Sequence, residues 1–249
     1  MKRDNVIEIS NINKWFSLHH NYSLKDAFVN LFKRQKRDKS QFLALSNVAF
    51  SIKKGEAVGL VGVNGSGKST LLKCISGVIK PDTGKVLVKG KIAGLIEVGA
   101  GFHPDLTGRE NIFLNGAILG MSKEEINDKF DKIMEFSEIP QFIDTEVRFY
   151  SSGMFLRLAF SVAIHSDPDV FLIDEILAVG DAKFRAKCLE RIKLLSKQGK
   201  TMVIVSHAEQ QIRELCTRAI WLNKGKIEKD GQANEVLDAM NKFTGLVKK

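Results

Sequence analysis

Residues 62–69 read Gly62-Val63-Asn64-Gly65-Ser66-Gly67-Lys68-Ser69, and this octet decides how the rest of the chain is read. Its glycines let the backbone curl so that successive N–H groups converge on one point, which attracts phosphate oxygens. A short apolar run, residues 57–61, precedes it, and residues 69–76, with helical character, follow. A helix starting there adds its positive end to the same point. The spacing G-x-x-x-x-G-K-[ST] then directs Lys68 to the β- and γ-phosphates of a nucleotide and the Ser69 hydroxyl to Mg²⁺. Gly62, Asn64, Gly65, Ser66, Gly67 and Thr70 complete the expected cradle.

Further along, residues 170–175 form an apolar strand ending in Asp174 and Glu175. A strand closing on Asp-Glu is commonplace alone. Paired with the phosphate loop, Asp174 is placed to hold Mg²⁺ through water, and Glu175 is the candidate base that orients the attacking water. Residues 203–207 make another apolar strand, ending in His207. A lone histidine is more often structural than catalytic. This one lies at the carboxyl end of a parallel strand, where ligands of open α/β sheets bind.

Outward from these elements, residues 6–9 alternate like an edge strand and residues 43–52 read as another. Helical signals dominate from Ile112 to Ile164. Thr107 with Glu110, and Ser122 with Glu125, match the capping box, so helices are expected to begin near Gly108 and Lys123. Strands return at residues 170–173 and 202–205, with a helix over 183–197 closed by Gly199. The alternation predicts one continuous domain, residues 1–249, with a parallel-sheet core and a helical subdomain over 105–165. Leu24, Phe28, Leu31 and Phe32 recur at helical spacing, and Lys33-Arg34-Gln35-Lys36-Arg37 follows. That pattern fits a helix packed on its own domain. It fits equally a basic amphipathic helix lying on a membrane face or in a partner's groove.

Composition sets the bounds. A chain of 249 residues with 44% apolar composition can bury the core of one large domain. The charged start carries no signal-peptide core, and no apolar run approaches the ~20 residues of a bilayer span, so a soluble cytosolic chain is expected. Cys74, Cys188 and Cys216 include no C-x-x-C pair and read as reduced, packed thiols. The net charge of +9 suits an anionic partner without choosing among nucleotide, nucleic acid and a membrane's inner face.

All of this also suits small-molecule kinases. Tyr150-Ser151-Ser152-Gly153-Met154, opening a helix, separates them: it resembles the signature motif of ATP-binding-cassette (ABC) ATPases, usually Leu-Ser-Gly-Gly-Gln. Ser151, Ser152, Gly153 and Met154 at a helix N-terminus would form an anion site for the γ-phosphate held by a second copy. The resemblance runs over essentially the whole chain. It implies an α/β fold: a P-loop NTPase core with a parallel sheet, an N-terminal antiparallel β part and an inserted α-helical subdomain. It also implies ATP hydrolysis with ATP and Mg²⁺, in a dimer that sandwiches two nucleotides. Residues 178–181 take the place of the loop crossing that interface, and His207 that of the histidine touching the γ-phosphate. Phe16 falls where an aromatic stacks on adenine. Trp15 and a simple packing role for Phe16 are the alternatives.

Two departures narrow the resemblance. The signature lacks its first glycine and its glutamine. The coupling loop reads Glu97-Val98-Gly99-Ala100-Gly101-Phe102-His103-Pro104, with Glu97 or Val98 where a glutamine is usual; Glu97 is a doubtful metal ligand. Both features are similar to ATPases of bacterial exporters for O-antigen, capsule and teichoic acid polymers, whose gate helix corresponds to residues 22–38 here. The expectations are a separate transmembrane permease as partner, a lipid-linked polysaccharide as cargo, no nucleic acid, and a peripheral location on the cytoplasmic face of the inner membrane. Some such ATPases carry a C-terminal carbohydrate-binding domain; with the sequence ending at Lys249, none is expected here. An importer's ATPase, which normally keeps the coupling-loop glutamine, is one rival. A soluble ABC ATPase acting on nucleic acid, with paired cassettes or coiled coils, is the other.

Overall fold

A computed structural model describes residues 4–17, 41–94, 99–174, 180–206 and 208–245. Two sheets, seven α-helices and two short 3-10 turns are seen among them. Strands β3 (Ala57–Val61), β6 (Val170–Asp174) and β7 (Thr201–Val205) are short apolar runs, the pattern of strands buried on both faces. With β5 (Ile92–Gly94), β8 (Arg218–Asn223) and β9 (Lys226–Gln232) they form a sheet of order β5-β6-β7-β3-β8-β9. All pairings are parallel except the β8–β9 hairpin. Its turn residues Lys224 and Gly225 both have positive φ, as a two-residue hairpin turn demands.

Alternate residues of β3 face opposite cores, as the two-residue period of a strand dictates. Val58 and Leu60 join one with Leu71 and Leu72 of α1 (Lys68–Ile75) and Ile7 of a second sheet. Ala57 and Val61 join the other, where Phe160 of α4 (Ser152–His165) and Phe184 of α5 (Ala182–Lys197) pack edge to face. Gly59 has no side chain because a Cβ there would lie 2.7 Å from Ile212 of α6 (Glu209–Leu215).

The second sheet is antiparallel, of order β2-β1-β4, from β1 (Asn5–Ser17), β2 (Gln41–Lys53) and β4 (Thr83–Val88). The expected edge strand at residues 6–9 is therefore its centre. Ile7 pairs with Ile52 on one side and Val88 on the other, so Val6, Ile7 and Ile9 are buried. Apolar alternation reports a covered face and is blind to a second neighbour. Between α1 and β6, α2 (Gly108–Ile118), α3 (Lys123–Ser137) and α4 gather around Ile112, Ile126, Ile133, Leu158 and Val162. Both capping boxes form as the sequence predicts. Helix α7 (Ala233–Thr244) closes the chain beside β8. All three cysteines are free and buried, matching expectation. No helix among the described residues is long and apolar enough to cross a membrane. The segment 22–38 lies outside the described residues.

Candidate nucleotide site

Strand β3 delivers the loop, and glycine is needed there for two different reasons. A Cβ on Gly62 would lie 2.2 Å from the Leu222 carbonyl oxygen, and one on Gly67 2.8 Å from that of Ala44. Gly65 has open space around it but a φ of +74°. The amide of Gly225 donates to the Ser66 carbonyl at 2.9 Å, so the β8–β9 turn braces the loop from behind. Ser66 Oγ is buried with no hydrogen-bond partner.

Helix α1 starts at Lys68 with Gly67 as N-cap and no capping side chain. Its first amides therefore point into the mouth of the loop without a side-chain acceptor. Lys68, 7% exposed as a residue, donates through its ammonium to the carbonyls of Gly62 (2.7 Å) and Val63 (3.1 Å). Helix end and cation thus converge on one point, and the arrangement suits phosphate. Ser69 is exposed beside it, with Thr70 half-buried.

Asp174 ends β6 at the same edge of the sheet. It pairs with Val205, and Val205 with Leu60, so one row spans β6, β7 and β3. Two strand spacings, ~10 Å, separate Asp174 from Leu60, just before the loop. The Ser69 hydroxyl and Asp174 carboxylate are hard oxygen donors that suit Mg²⁺. No group of three or more metal-binding side chains occurs among the described residues. Glu175, His207, Glu97 and Val98 lie outside the described residues.

Ser151 is the N-cap of α4, its Oγ accepting from the Met154 amide at 3.2 Å. Ser151 and Ser152 are exposed, and Gly153 is half-buried. Among the described residues, a Cβ on Gly153 would meet only Ser151 Oγ, at 3.8 Å, so packing there does not demand a glycine. Just before them, the Tyr150 hydroxyl donates to the Phe142 carbonyl at 2.7 Å, and burial pushes its pKa up to about 12. At the end of β1, Phe16 is 39% exposed. The Lys14 ammonium stands 5.6 Å from its ring centroid, and the Trp15 amide donates to Asp82 Oδ2 at 2.6 Å. That bond, chiefly, holds the Asp82 carboxyl below the usual range, with Lys14 adding to it.

Residues 45–178 match the family described as ABC transporter. This chain belongs to that family.

As an ABC ATPase it is 42% identical to the "O-antigen export system ATP-binding protein RfbB" of Klebsiella pneumoniae, across 94% of this chain and 96% of that one. It is 41% identical to the "Teichoic acids export ATP-binding protein TagH" of Bacillus cereus across 93% of its own length, which spans 42% of that protein. Among solved structures, a dimeric post-hydrolysis state of the ATP-binding cassette MJ0796, bound to ADP and Pi, matches with a TM-score of 0.71. The identity there is 26%, over 91% of this chain and 98% of that one. The expected ABC fold and ATPase activity both stand.

Sequence reading missed how this ABC cassette is stitched together. Nη1 of Arg157 on α4 donates to Glu138 Oε2 at 2.9 Å, and Nη2 to Asp181 Oδ2 at 2.7 Å. Nothing in the spacing 138, 157, 181 marks these residues as neighbours. A groove of about 190 Å³ also opens between sheet and helices, lined by Val78, Ile92, Ile118, Leu119, Ala159 and Lys73. Beside it, Gly99 abuts Phe155 so closely that a Cβ would fall 2.4 Å from the ring.

Proposed function

We propose that this chain is the ATP-hydrolysing subunit of an exporter that moves a lipid-linked cell-surface polysaccharide of the O-antigen or teichoic acid kind across the cytoplasmic membrane. The observation that carries the reading is identity above 40%, across more than nine-tenths of this chain, with proteins named for O-antigen and teichoic acid export. A separate transmembrane permease would seat a short segment in the groove lined by Val78 and Ile118. The apolar lining there suits an apolar helix face. In this reading the chain sits peripherally on the cytoplasmic face and binds no nucleic acid in its work.

The residue roles in this reading combine the described geometry with motif position. Amides of the loop from Gly62 to Thr70 and the Lys68 ammonium would cradle the phosphates, while Ser69 and Asp174 hold Mg²⁺. When bound, that ion supplies charge neutralisation across the β- and γ-phosphates. Phe16 offers its exposed ring to adenine, while Trp15 is tied down through its backbone by Asp82. Glu175, next after Asp174, orients the attacking water, and His207 supplies a further contact to the γ-phosphate. Ser151, Ser152, Gly153 and Met154 close the site from a second copy. The room beside Gly153, where an added Cβ would meet only Ser151 Oγ among the described residues, supports that role. Ser152 and Met154 replace the usual glycine and glutamine, leaving Ser151 Oγ and the α4 amides as the donors to phosphate.

Affinity capture from detergent-solubilised membranes tests the assignment. Recovery of a multi-span permease of polysaccharide-exporter type is the expected result. Recovery of an importer's permease, or of nucleic acid with no membrane partner, would overturn it.

A further inference from the structure

We infer that Arg157 is a positioning residue that locks the signature helix to the start of α5, so that Ser151 and Asp181 move as one body. The inference rests on the reading above, in which Ser151 completes the phosphate site of a second copy. Arg157 lies six residues beyond Ser151 on the same helix, ~9 Å along its axis. Its guanidinium is pinned on three sides: Glu138 at 2.9 Å, Asp181 at 2.7 Å, and the Phe184 ring with its centroid 4.9 Å away.

Each carboxylate turns its second oxygen to α5. Glu138 Oε1 accepts from Lys187 at 3.1 Å, and Asp181 Oδ1 accepts from the Phe184 amide at 2.9 Å as the N-cap of that helix. Two closed circuits therefore run from α4 through one carboxylate each into the first turns of α5. Glu138 holds a left-handed backbone (φ +58°) at the end of α3. Such a conformation persists in a non-glycine residue only where its surroundings impose it. The charges agree: burial would raise the Glu138 pKa, yet Lys187 and Arg157 hold it below the usual carboxylate range.

The Asp181 arm of this network is the one open to water. The Asp181 side chain is 61% exposed, and ion pairs that open to water contribute little stability. What the pair does fix is the relative position of the Ser151 helix and Asp181, the N-cap of α5. Two carboxylates on separate nitrogens over an aromatic face require the planar fork of arginine, which lysine lacks.

The test is ATP turnover by the full chain as Arg157→Lys, Asp181→Asn and the double variant, with melting temperature followed throughout. Asparagine keeps the capping oxygen of α5 and puts an NH2 donor in place of the oxygen that accepts from Arg157. The expected result is kcat lowered about tenfold in each single variant, with KM within about twofold and the double variant no slower than Arg157→Lys, the non-additivity of a shared unit. Wild-type kcat in Asp181→Asn, or single effects that multiply in the double variant, would overturn the inference. Ser151→Ala, assayed alongside, separates the two claims. If it turns over normally, the reading of the signature fails; if it alone is slow, only the Arg157 coupling fails.

Discussion

The ring of Phe102 meets the ring of Phe155 edge to face, their centroids 5.2 Å apart and their planes at 69°. One belongs to the loop that borders the groove, and the other follows the signature residues on α4. Asn115 of α2 fixes the same loop by donating to the Ala100 carbonyl at 2.8 Å, and buried Asn111 accepts from the His103 amide at 2.7 Å. The loop beside the groove is therefore held directly against α4 by packed rings.

Gly99 is where this contact is least tolerant. Its φ is +89°, and an added Cβ would fall 2.4 Å from the Phe155 ring. Gly99→Ala is expected to lower stability by about 1–3 kcal/mol, from backbone strain plus overpacking. Adding Phe155→Leu should relieve the overpacking and leave the strain. Thermal melts of the two single variants and the double variant measure the difference.

At the phosphate loop, Gly67→Ala combines a φ of +109° with a Cβ 2.8 Å from the Ala44 carbonyl. The Ala44 carbonyl is backbone rather than a flexible side-chain end, so β2 or the loop must shift. Nucleotide affinity is expected to fall at least tenfold, since the amides of α1 would no longer converge. Titration with a fluorescent ATP analogue checks this. Unchanged affinity would show that the loop does not hold the phosphates.

Asp82 orients the strand end that carries Phe16, binding the Trp15 amide at 2.6 Å and the Lys14 ammonium at 3.1 Å. Asp82→Ala should weaken ATP and ADP binding equally, by roughly threefold to tenfold, because the adenine side is common to both. Asp82→Asn, which keeps an acceptor for the amide, should lose less. If the alanine variant weakens ATP alone, the placement of adenine at Phe16 is wrong.

His165 predicts a pH dependence with a definite sign. Its pKa is lowered, first by burial and further by Arg191, Lys129 and Lys132, against an opposing hydrogen bond to the Ser161 carbonyl. A histidine held neutral contributes stability that is complete above its unfolded pKa of about 6.5 and is lost as pH falls toward the folded value. Melting temperature should therefore drop between pH 7 and pH 5. The drop should be shallower in His165→Gln, because ordinary carboxylates titrate below that window.

What the sequence determined by itself is local. The loop at residues 62–69, the helix behind it and both capping boxes depend on backbone freedom and side chains three residues apart, so spacing alone reveals them. Fold class follows from the same signals, since apolar runs alternating with helices leave few ways to bury both faces of a sheet. Glu175 and His207 enter the proposed mechanism on their motif positions alone. Only the tertiary structure decided the rest: β1 at the centre of its sheet, Phe102 against Phe155, and Arg157 bridging Glu138 and Asp181. These contacts join residues 19 to 81 positions apart. Sequence carries no periodicity at such separations, and it is the packing of the helices and sheets that sets which distant side chains meet.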